Sequence, residues 1–92
     1  MKLSDSEAAQ WYRKAAVQGH ADAQCSLSIL YFQGRGVTQS DSEAFTWCQQ
    51  AANHGHALSQ FKLGLMYDVG RGVMQSYLEA TKWYHKAADQ GH

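Results

Sequence analysis

Residues 40–75 read SDSEAFTWCQQAANHGHALSQFKLGLMYDVGRGVMQ, and residues 4–39 read SDSEAAQWYRKAAVQGHADAQCSLSILYFQGRGVTQ. Laid one on the other they agree at 19 of 36 positions, and residues 76–92 agree with residues 4–20 at 11 of 17. Trp11, Trp47 and Trp83 mark the period, as do Gly19, Gly55 and Gly91 and the histidines His20, His56 and His92. A period in this range identifies stacked supersecondary units, each too small to bury its apolar face alone. The chain is therefore read as one repeat domain over 1–92, with units 4–39 and 40–75 and a half unit 76–92.

Each unit divides into two helices. Ser4, Ser40 and Ser76 stand three residues before Glu7, Glu43 and Glu79, the spacing of a capping box that opens a helix. Helix A follows, with Ala8, Trp11, Tyr12, Ala15 and Ala16 at the intervals of one helical face. Gly19 and Gly55 end helix A, because glycine takes the left-handed conformation past a helix C-terminus without Cβ strain. Helix B is expected over Ala21–Gln33, with Ala23, Leu27, Leu30 and Tyr31 inward, and again over Ala57–Val69. Gly34 and Gly36, then Gly70 and Gly72, bracket the turns that return the chain to the next cap. No proline and no strand-like alternation occur, so five helices and an all-α solenoid are expected. Small residues let helices approach closely, with Ser28 and Gly64 of helix B facing alanines such as Ala15, Ala16, Ala51 and Ala52. Trp11 and Trp47 fill the wedge between hairpins.

Composition excludes several functions. Eight basic and eight acidic residues cancel, and the cations are scattered singly, so no nucleic-acid footprint exists. No apolar run approaches the roughly 20 residues needed to span a bilayer, and with no apolar stretch in Met1 to Asp5 no signal peptide is expected. Cys25 and Cys48 are too few for a disulfide framework, so a cytoplasmic setting is expected. Cys25 aligns with Phe61 and Cys48 with Tyr12, which predicts buried structural thiols. His54-x-His56 is a two-ligand fragment, but the periodic histidines repeat because the unit repeats and should stand about 10 Å apart. They are expected to bond backbone groups at a helix N-terminus, and no metal or cofactor is expected. Gln24 and Gln60 recur among apolar neighbours and should bond turn backbone.

The residues Ala8 to Ala16, Gly19 to Leu27 and Tyr31 to Val37, with their second copy from Ala44 to Val73, closely resemble the Sel1-like repeat family. The resemblance implies a right-handed α/α superhelix related to tetratricopeptide repeats, acting as an adaptor between proteins. Where the family usually has proline after Gly-x-Gly-Val, this chain has Thr38 and Met74, which implies a looser loop. A cysteine-rich branch of the family is linked to β-lactam binding or hydrolysis, but its repeated cysteine pairs are missing here. An enzyme of that kind is the alternative, and a non-enzymatic scaffold is the preferred reading.

Comparing the units with one another separates scaffold from surface. The helix A positions that differ are Gln10/Thr46/Lys82, Arg13/Gln49/His85 and Lys14/Gln50/Lys86, with Phe45 facing Ala9 and Thr81 in the alignment. They are expected to line a groove that binds a protein or peptide, Phe45 as apolar anchor and Arg13 as charged one. Because the last helix A has no helix B after it, Trp83 and Tyr84 are expected to lie uncovered and to drive homodimerisation through the terminal helix.

Overall fold

The computed structural model describes residues 3–92; Met1 and Lys2, used in the reading of the N-terminus, lie outside them. Five helices follow in order, α1 (Asp5–Val17), α2 (Ala21–Gln33), α3 (Asp41–Asn53), α4 (Ala57–Val69) and α5 (Tyr77–Asp89), with no strand among the described residues. All five boundaries coincide with the caps. The Oγ atoms of Ser4, Ser40 and Ser76 accept from the backbone N–H groups of Glu7, Glu43 and Glu79 at 3.2, 3.1 and 3.2 Å. Only the first box is reciprocal, with Ser4 N–H donating to Glu7 Oε1 at 3.1 Å. That bond holds the Glu7 carboxyl below the ordinary carboxylate range. At the third cap Glu79 turns instead to Lys82 Nζ, 3.5 Å away.

The Gly-Arg-Gly turns do more than stop helix B. Gly36 and Gly72 have φ of +75° and +76°, and a Cβ on either would lie 2.2 Å from Asp5 O or 2.3 Å from Asp41 O. Each turn therefore rests on the N-terminus of its own unit's helix A, and only glycine allows that approach. Arg35 and Arg71 reinforce the closure by pairing with Asp5 and Asp41, both at 3.1 Å. Ser40 N–H then donates to Tyr31 O at 3.0 Å and Ser76 N–H to Tyr67 O at 2.9 Å, pinning the loops that carry Thr38 and Met74.

Packing within a hairpin uses the glutamines. Gln24 Nε2 donates to Ala16 O at 3.1 Å and Gln60 Nε2 to Ala52 O at 3.2 Å, capturing carbonyls at the C-terminal end of helix A. Between hairpins the small residues act, and here the structure amends the sequence reading. Ser28 and Gly64 meet the helix A of the next unit, not the alanines of their own. Ser28 Oγ donates to Ala44 O at 2.6 Å, and a Cβ on Gly64 would stand 2.7 Å from the Tyr84 ring and 3.2 Å from Ala80 O.

Two buried clusters form the core, each spanning successive units. One joins Ala16, Ala23 and Leu27 to Trp47; the other joins Ala44, Cys48, Ala52, Leu63 and Met66 to Trp83. Each tryptophan packs backward onto the hairpin before it. This overturns the expectation for the ends: Trp83 is only 7% exposed, while Trp11, with no described hairpin before it, is 60% exposed. Tyr84 is half-buried over Gly64 and beside Phe61, its hydroxyl donating to Asp68 Oδ2 at 3.3 Å. The aromatic surface expected to drive self-association at Trp83 and Tyr84 is thus closed by α4.

Candidate partner-binding face

Helices α1, α3 and α5 turn most of their alanines and, in α3 and α5, their tryptophan into the core, which leaves most of the varying positions outward. Gln10, Arg13, Lys14, Thr46, Gln50, Lys82, His85 and Lys86 are exposed, and Gln49 is half-buried. Phe45 departs from the expectation of a free anchor. It is half-buried against the second cluster, edge-on to Tyr67 with ring centroids 5.5 Å apart at 87°. Its aromatic payload is spent on the fold.

The B helices link these faces. Tyr31 of α2 packs against the cluster that holds Trp47 of α3, and its hydroxyl accepts from Arg13 Nη2 of α1. Lower down, Gln24 Nε2 donates to Gln50 Oε1 at 3.5 Å, and His54 Nδ1 donates to Gln24 Oε1 at 3.3 Å. The second interface repeats this with Gln90 Nε2 donating to Gln60 Oε1 at 2.8 Å. Lys14 Nζ sits 4.8 Å from the Trp11 ring centroid and Lys86 Nζ 4.5 Å from that of Trp83, cation–π contacts that hold ammonium groups at the edge of the face. The face is polar and mixed in charge, with Arg13, Lys14, Lys82 and Lys86 beside Glu7, Glu43, Glu79 and Asp89, and Lys82 pairs with Glu79.

One constellation was not legible in the sequence. His56 Nε2 donates to Asp22 Oδ1 at 2.9 Å, while its Nδ1 lies 2.8 Å from Ser59 Oγ and accepts from Ser59 N–H at 3.2 Å. Serine, histidine and aspartate in line suggest nucleophilic catalysis, but Ser59 is 0% exposed and its own amide occupies the ring nitrogen. The arrangement caps α4 and ties it to α2. His20, the matching cap of α2, makes no side-chain capping bond. The cysteines are equally enclosed. Burial pushes the Cys48 thiol up to about 12, and its Sγ donates to Ser59 O at 3.3 Å. Among the described residues no group of three or more His, Cys, Asp or Glu could hold a metal ion, and no helix is long and apolar enough to cross a membrane.

A family model described as Sel1 repeat matches residues 2–20, 21–56 and 57–92. Its frame opens on helix B where the caps suggest opening on helix A; the 36-residue period is the same. Among solved structures, a Sel1 repeat protein from Oxalobacter formigenes superposes with a TM-score of 0.96 at 38% identity, over 99% of this chain and 37% of its own. A protective antigen present in uropathogenic Escherichia coli strains, displaying an SLR fold, gives 0.95 at 38% identity over 97% of this chain and 19% of its own. Cysteine rich protein B of Helicobacter pylori gives 0.94 at 21% identity over 98% of this chain and 68% of its own, a likeness of fold. The chain thus spans well under half the length of the first two. No match was found among curated protein sequences.

Proposed function

This chain belongs to the Sel1 repeat family, and from that premise we propose that it is a scaffold binding a protein or peptide on the outward face of α1, α3 and α5, and not an enzyme. Sel1 repeats in general mediate protein–protein interaction. The observation that carries the reading to this face is its split character. Shared residues such as Ala44, Ala16, Leu27, Leu63, Gln24 and Gln60 are buried in the stack, and on the A helices the varying residues Arg13, Lys14, Lys82, His85 and Lys86 are solvent-facing. Arg13, Lys14 and Lys86 make no ion pair among the described residues, which favours a partner segment bearing carboxylates, held through charge-assisted bonds at a polar rim. Against catalysis stands the enclosure of every candidate nucleophile: Ser59 at 0% exposure, Cys48 at 2% and Cys25 at 5%.

The test is charge reversal. A variant carrying Arg13→Glu, Lys14→Glu and Lys86→Glu should lose a crosslinked partner while keeping its helical spectrum. Undiminished recovery of the same partner refutes the assignment of this face.

A further inference from the structure

The opposite side of the molecule carries a feature that the repeat does not require. On α4, Leu58, Phe61, Leu65 and Val69 are 38%, 38%, 42% and 69% exposed. The matching residues of α2 are Asp22, Cys25, Ile29 and Gln33. One copy of helix B thus presents an apolar stripe where the other is mixed. Phe61 meets Tyr84 of α5, with ring centroids 5.7 Å apart, whereas Leu65 and Val69 lie on the side that faces Phe32 of α2.

Beside this stripe lies a cleft of about 140 Å³ lined by Phe32, Lys62, Leu65, Met66, Val69 and Arg71. A second cleft of about 230 Å³, sharing Phe32 and Lys62, extends it towards Ile29 and Gln33. An engineered apolar cavity of about 150 Å³ accommodates one benzene, so the first cleft has room for a single six-membered ring. Its walls suit such a guest, since methionine sulfur and a guanidinium both favour aromatic contact.

The rim sets the charge of what accompanies the ring. Lys62 replaces Ser26 of the first unit and makes no ion pair among the described residues. Arg71 is equally informative beside its counterpart. Arg35 gives Nε and Nη2 to Asp5 at 3.3 and 3.1 Å and Nη1 to Gln33 at 3.3 Å. Arg71 donates only Nε, to Asp41 at 3.1 Å, because Val69 stands where Gln33 would answer and Asp41 Oδ1 also accepts from Gln39 at 2.7 Å. Its guanidinium lies 3.8 Å from the Phe32 ring centroid, at the cleft mouth, with both terminal amino groups uncommitted.

We propose that this α2–α4 cleft is a second docking site, taking a partner peptide whose aromatic side chain enters between Phe32 and Val69 while a neighbouring carboxylate meets Lys62 and Arg71. Two cations at an apolar slot, with no anion among its lining residues, select an acidic-aromatic segment over an uncharged apolar one. The site is independent of the α1–α3–α5 face and stands or falls separately from it.

The experiment titrates the full chain with acetyl-Gly-Ser-Glu-Phe-Glu-Ser-Gly-amide, following backbone amide NMR signals. Saturable shifts at Leu65, Met66 and Val69 are expected, absent when alanine replaces the peptide's phenylalanine. Lys62→Ser and Val69→Gln install the residues of the first unit, so the fold tolerates them, and each should weaken binding by about tenfold or more. Equal shifts with the alanine peptide, unchanged affinity in both variants, or shifts confined to α1 and α3 overturn the proposal. So do preferential binding of dodecanoate, which would make the site a fatty-acid slot, and peptide-free shifts that grow with protein concentration, which would make it a contact between copies.

Discussion

Trp11 and Trp47 occupy the same position of successive units, and replacing each by alanine separates local sequence from stacking. A buried tryptophan removes roughly 150–250 Å² from water, which at about 25 cal/mol per Å² corresponds to about 4–6 kcal/mol. Trp47 is 9% exposed, so its loss should cost about 3–5 kcal/mol, the usual range for an aromatic-to-alanine change in a core. A domain of this size holds only about 5–14 kcal/mol in total. Trp11 is 60% exposed and retains about two-fifths of the burial, so its loss should cost about 1.5–2.5 kcal/mol. At about 4–8 °C per kcal/mol, thermal denaturation followed by far-UV circular dichroism should place Trp47→Ala roughly 10 °C or more below Trp11→Ala. Trp47→Phe should fall between Trp47→Ala and the parent, because the buried Trp47 Nε1 has no hydrogen-bond partner and phenylalanine removes that unsatisfied donor. Equal melting shifts for the two alanine variants would refute backward packing of each tryptophan as the source of cohesion between hairpins.

Gly72→Ala should destabilise much more than Gly55→Ala in urea titrations. Both positions have positive φ, worth about 1–2 kcal/mol for alanine, but only at Gly72 would the new Cβ strike a backbone oxygen, at 2.3 Å; similar midpoints would show that the turn does not rest on α3. Cys48 gives a pH dependence. Its folded thiol is raised to about 12 from 9.0, so the unfolded chain releases the proton first; stability should be intact below about pH 9 and fall by about 1.4 kcal/mol per pH unit up to about 12. A Cys48→Ala variant should lack that part of the alkaline loss, and an identical pH profile would contradict the assignment. Gln60→Leu should cost about 0.5–1.5 kcal/mol by removing the amide's bond to Ala52 O, which keeps Gly55 N–H as a donor, measurable as a lower urea midpoint; a neutral result would mean water replaces the amide.

Periodicity alone determined the architecture. Capping serines, glycine stops and apolar spacing act over a few residues, so all five helices could be read off the chain, and the doubled unit fixed which elements must stack. Local rules also placed the buried thiols and the two glutamines. What they left open was direction. Whether a tryptophan packs on its own hairpin or the one before it depends on how rigid pairs nest, and sequence spacing is the same for both. Hence Trp83 was expected in the open and lies buried, and Phe45 was expected to be free and meets Tyr67. The Asp22–His56–Ser59 tie and the α2–α4 cleft likewise join residues from different units. Only the stacking of complete hairpins brings such positions within reach, because no term in the chain's local energetics couples side chains thirty residues apart until helices have packed.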